Sequence, residues 1–85
     1  MDEQKRLQLE GFKDCYTWQD VPGTYYGPHK HHGITAHVIL EGSMDITVDG
    51  KTTTYKKGDR FDVPAGKLHS ARIGSDGCKY IVGEK

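Results

Sequence analysis

Glycine and proline interrupt this chain at short intervals: Pro22-Gly23, Gly27-Pro28, Gly42, Gly50, Gly58, Pro64-Ala65-Gly66, Gly74 and Gly77. Turn signals at about this density leave room for strands but not for long helices, and point to an all-β sandwich or barrel. The segments between the breaks agree. "FKDCYTW" carries aromatics and stops before "VPG"; "TYYGPHKHH" is extended, with Pro28 fixing one φ angle. "ITAHVIL" is the most apolar run and reads as a central strand. "MDITVDGKTTTY" reads as a hairpin: Ile46 and Val48 alternate, Asp49-Gly50 forms a type I′ turn, and threonines return. "RFDVP" is a short strand, and "LHSARI" and "CKYIVG" form a final pair around "GSDG". Only residues 2–10 suit a helix, which Gly11 would end; otherwise residues 1–10 form a flexible extension.

Eighty-five residues, of which 34% are apolar, imply a single domain, 1–85, with a small core. A second copy would supply buried surface, so a homodimer is expected, with "ITAHVIL" and "CYTW" as interface candidates. Twelve basic and twelve acidic residues cancel, which leaves no field of one sign to gather nucleic acid or anionic lipid. The charged start "MDEQKRLQLEG" lacks an apolar signal core and no run is long enough to span a bilayer, so the expected location is cytoplasmic. Cys15 and Cys78 read as free thiols, the alternative being one tie between the first and last strands.

Four of the five histidines fall within "GPHKHHGITAH". His29 and His31, two apart on a strand, share a face with Cα atoms ~6.5 Å apart. Two imidazoles so placed can converge on one ion at ~2.0–2.1 Å, with a third ligand from a neighbouring strand. His69, behind "GDRFDVPAGKLH", enters a strand from a tight Pro-x-Gly turn and is the candidate third.

With His69 included, the chain resembles the cupin superfamily, whose small single-domain members have two motifs. Gly23, His29, His31 and Gly42 occupy the first at its spacing, and Thr35 stands where the family has glutamate. Gly58, Pro64, Gly66 and His69 occupy the second, with Ile73 in place of asparagine. The two cover residues 23–73 and are separated by fifteen residues. The resemblance implies a double-stranded β-helix, a jelly-roll barrel with its site inside. It also implies one divalent metal ion (Fe, Mn, Ni or Zn) on His29, His31 and His69.

Thr35 is a poor ligand for such an ion. His37, on the same strand face, is the candidate to replace it, either on the ion or beside it, and a bulge at His32-Gly33 would bring it closer. His32 should face away. Without a carboxylate ligand the ion keeps its full charge, which favours a small anionic or enolisable molecule. The implied function is a metalloenzyme of dioxygenase, isomerase or lyase type; the alternative is a non-catalytic cupin binding a small molecule or metal. No catalytic residue is assigned, and Tyr26 and Tyr25 are the candidates considered. Trp18 and Phe61 read as core, Asp59 and Asp62 as turn residues, and Lys67 and Arg72 as exposed cations that could hold a substrate carboxylate.

Overall fold

The computed structural model describes residues 2–85. A short helix α1 (Glu3–Leu9) precedes six strands: β1 (Lys13–Asp20), β2 (Tyr25–His29), β3 (Thr35–Val48), β4 (Lys51–Lys56), β5 (Arg60–Val63) and β6 (His69–Glu84). The all-β expectation holds, with one change in connectivity. "ITAHVIL" and "MDITV" belong to one fourteen-residue strand, β3, and the two segments around "GSDG" belong to one sixteen-residue strand, β6. Glycine therefore bends strands here instead of ending them. Gly42 has φ +78°, and a Cβ there would lie 2.0 Å from the Gly77 carbonyl oxygen, so the two strand bends touch through backbone alone. The ladder shifts register at this point, between Ile39 and Glu41 and between Gly42 and Met44.

The bends divide the sheet into two halves sharing β3 and β6. In one half, β2 pairs with residues 69–72 of β6, which pair with residues 45–48 of β3, which pair with β4. In the other, β1 pairs with residues 78–84 of β6, which pair with residues 35–42 of β3, whose first residues pair with β5. This is the double-stranded β-helix. The hairpin turn is as expected for type I′, with positive φ at both Asp49 (52°) and Gly50 (77°).

Alternation along the strands builds two cores. Ile39, Met44, Ile46, Phe61, Ile73 and Tyr80 are among the residues that fill the interior between the halves. Ala36, Val38 and Ile81 point the other way and are covered by Leu7 and Phe12. Helix α1 is therefore part of the fold: Asp2 caps it by accepting from Lys5 N at 2.7 Å, and Leu7 is fully buried. Arg60 ties the helix end to β5, donating to Glu10 at 2.7 and 2.8 Å and to Asp62 at 3.0 and 3.1 Å. Within "ITAHVIL", Ala36 and Val38 are covered by the chain's own Leu7 and Phe12, while Ile34 and Leu40 are partly buried beside them. Cys15 and Cys78 are both free thiols, and burial raises the pKa of each, Cys78 to about 11. Among the described residues no helix is long and apolar enough to cross a membrane.

Candidate metal centre

Three histidines converge at one end of the interior. His29 closes β2 and His69 opens β6, and the two are direct cross-strand partners. His31 lies in the loop after β2, held where Gly66 N of the Pro-x-Gly turn donates to its carbonyl at 2.8 Å. Each residue offers a ligand atom, and the three atoms lie within 4.8 Å of one another. Ring centroids stand 5.1 Å (His29–His31), 4.3 Å (His29–His69) and 5.4 Å (His31–His69) apart.

Their outer nitrogens are engaged. His29 Nδ1 lies 2.7 Å from the Gly27 carbonyl oxygen and His69 Nδ1 lies 3.0 Å from that of Lys67. A carbonyl only accepts, so both Nδ1 atoms donate, which leaves Nε2 of each ring as the nitrogen able to bind an ion. His31 Nδ1 faces a carboxylate, Glu84 Oε1, at 3.4 Å. Burial holds the His69 pKa below its ordinary value, which keeps this ring neutral. Three clustered imidazoles, two of them with Nδ1 held by a backbone carbonyl, form a donor set suited to Zn, Fe, Ni or Cu.

The triad opens into a cavity of about 380 Å³, the size of a small-molecule site. Thr35 and His37 line it, and Thr35 Oγ1 and His37 Nδ1 are buried without a hydrogen-bond partner among the described residues. His37 stands outside the close triad, its ring stacked on Phe61 at 4.4 Å. Burial, then the nearby His69 and His31, lowers its pKa to about 4. His32 is exposed, and His32-Gly33 lie in a bend between strands; the bulge of β3 falls near Gly42 instead.

A hydrogen-bonded wall completes the cavity. Tyr26 and Tyr80 line it, and their hydroxyls donate to the buried Asp20 at 2.7 and 2.8 Å. Trp18 Nε1 donates to the same carboxylate at 3.0 Å. Trp18 is not core: it is half exposed beside Tyr16 at the cavity edge, whereas Phe61 is buried as expected. Tyr25 is outside the cavity, under the Arg72 guanidinium at 4.6 Å, and Lys67 pairs with Asp49 at 2.6 Å. No lysine or arginine lines the cavity among the described residues. Asp59 serves its turn, accepting from Lys56 N at 2.8 Å.

The cupin-domain family model matches residues 16–82. The chain belongs to this family. Among curated relatives, this cupin is 31% identical over 55 residues to a 5-nitrosalicylic acid 1,2-dioxygenase of Bradyrhizobium, covering 65% of this chain and 27% of that protein. It is 29% identical over 62 residues to the dimethylsulfoniopropionate lyase DddW of Ruegeria pomeroyi, covering 73% of this chain and 41% of the lyase. The chain thus spans less than half the length of either. A cupin superfamily protein from Desulfitobacterium hafniense shares the fold at TM-score 0.75 and 24% identity, over 82% of this chain and 63% of that one. The lyase DddQ of Ruegeria pomeroyi also shares it at TM-score 0.75 and 24% identity, over 84% and 36%.

Two residues of this cupin's site escaped the sequence reading. Asp20 stands two positions from Trp18 on β1, a spacing that sets both on one face, but its partner Tyr80 is 60 residues away. Glu84 meets the triad only through the β3–β6 register.

Proposed function

We propose that this cupin is a metalloenzyme of dioxygenase, isomerase or lyase type, with one divalent ion (Fe, Mn, Ni or Zn) on His29, His31 and His69. The observation that carries the reading is the triad itself: three clustered histidines, two with Nδ1 fixed by backbone carbonyls, bordering a cavity of small-molecule size. The dioxygenase and lyase named among the relatives support the reaction classes.

A divalent ion at the triad supplies a Lewis acid for an anionic or enolisable group. The chain's own residues determine how the rest of the molecule sits. With no lysine or arginine in the wall, attraction for an anionic end falls to the metal end of the cavity. Tyr26, Tyr80 and Trp18 spend their protons on Asp20, so the two phenol oxygens can only accept, and they suit a hydroxyl or amine of the bound molecule. We place His37 beside the ion, where its neutral ring and unpartnered Nδ1 meet the bound molecule. Half-exposed Trp18 and Tyr16 offer apolar faces at the entrance. The two free thiols fit a reducing, cytoplasmic setting.

Protein purified without a histidine tag and loaded with Co(II) tests this directly. The expected result is one bound ion, with a visible spectrum that shifts when salicylate is added as an anionic probe. Absence of stoichiometric Co(II), or a spectrum indifferent to salicylate, overturns the reading.

A further inference from the structure

The triad has a carboxylate neighbour, supplied by a strand other than the one on which the family's motif places its glutamate. Thr35 occupies the motif position on β3, and its direct cross-strand partner on β6 is Glu84. Side chains opposite one another in an antiparallel ladder stand on one face, with Cβ atoms ~4.5–5.5 Å apart. Both residues line the cavity, as this requires. Glu84 Oε1 lies 3.4 Å from His31 Nδ1.

The local backbone holds the pair in place. Ile34 N donates to the Lys85 carbonyl at 2.7 Å, and Lys85 N donates to the Ile34 carbonyl at 2.9 Å. The pair Ile34–Lys85, next to the Thr35–Glu84 rung, is thereby locked. Gly33 permits the approach, since a Cβ there would lie 2.1 Å from the Lys85 carbonyl oxygen. Two other acids are occupied elsewhere, Asp20 by Tyr26, Tyr80 and Trp18, and Asp62 by Arg60, while Asp14 lines the cavity but is not among the residues in contact with the triad. Lys85, the adjacent cation, reaches away to the Glu10 carbonyl and the Phe12 ring. Among the described residues, Glu84 makes no salt bridge to a lysine or arginine, although Lys13 is its cross-strand partner on β1, and its ion-pair contact is to His31.

We propose that Glu84 is the positioning carboxylate of the metal centre, taking over from the adjacent strand the anionic role that the motif assigns to residue 35. With Oε1 3.4 Å from His31 Nδ1, it orients that ring and places negative charge next to the site. It acts through His31, since its oxygens lie outside the close cluster of donor atoms. A carboxylate behind a ligating histidine fixes its tautomer and strengthens it as a ligand, and removing such a partner lowers metal affinity about 10–100-fold. The inference rests on the metal reading of this site.

The test is zinc affinity by competition with a chromophoric chelator, in wild type, Glu84→Gln, Thr35→Glu and the double variant. Glu84→Gln should weaken zinc about 10–100-fold. The apo-protein melting temperature should not move, because Glu84 is about half exposed at a strand end. Thr35→Glu should gain more affinity in the Glu84→Gln background than in wild type, because Glu84 already fills the anionic role, whereas a merely structural Glu84 would give equal gains. Wild-type affinity in Glu84→Gln, equal gains from Thr35→Glu in the two backgrounds, or a matching drop in apo stability each overturns this inference alone. A wild type that binds no zinc overturns the metal reading and this inference with it.

Discussion

His37 should make the metal-free protein acid-sensitive by an amount that can be worked out. Its folded pKa is about 4 against an ordinary 6.5, because the ring is buried and faces His69 and His31, with Asp62 only partly offsetting them. A histidine with a depressed folded pKa binds fewer protons folded than unfolded, so stability rises with pH across the gap. The contribution is complete above pH 6.5 and is lost as pH falls towards 4. A gap of 6.5 − 4 units at 1.36 kcal/mol each sets a ceiling of about 3 kcal/mol. For a chain this short that equals about 12–24 °C in melting temperature. His69 and Glu10 also have lowered pKa values and add acid sensitivity of the same sign, so the informative quantity is a difference. Urea unfolding in EDTA at pH 7, 6, 5 and 4 should show wild type losing about 2–3 kcal/mol more than His37→Leu. His37→Gln provides the same comparison if leucine repacks against Phe61. Parallel pH profiles for wild type and both variants would refute the argument.

Further expectations follow from the fold and the wall. Gly42→Ala forces a Cβ onto the Gly77 backbone at positive φ and should cost at least about 3 kcal/mol by thermal melting, whereas Gly50→Ala, with nothing within 4 Å, should cost about 1–2. Equal costs would contradict the bend. Asp20→Asn leaves Tyr26, Tyr80 and Trp18 competing for one amide oxygen and should destabilise by about 1.5–3 kcal/mol for each charged hydrogen bond lost; an unchanged melting temperature would contradict the network. A homodimer is expected from the small core and from exposed Leu9 (67%) and Val21 (72%), and a compact monomer in sedimentation at tens of micromolar, above typical oligomer dissociation constants, would contradict it.

What was legible in the sequence was local. Asp49-Gly50 reads as a turn because both residues tolerate positive φ, and both have it. His29 and His31 read as a pair because strand geometry sets residues two apart on one face. His69 joined them through the spacing of two motifs, and the structure brings the three together. Long-range features were hidden. Gly42 reads as a break between strands and "GSDG" as a turn between a pair of them, yet Gly42 and Gly77 let β3 and β6 bend past each other without ending. Trp18 looked like core until the fold set it beside Tyr16 at the cavity edge. Glu84 sits opposite Thr35 only through a register that no local pattern encodes.

The central claim is that His29, His31 and His69 hold one divalent ion. Metal content of the untagged wild type and of His29→Ala, His31→Ala and His69→Ala, each equilibrated with zinc and dialysed, tests it most directly. The expected result is one ion per wild-type chain and no stoichiometric ion in any of the three variants, with the β-type circular dichroism spectrum retained. Zinc content unchanged in all three variants would contradict the claim and place the ion elsewhere.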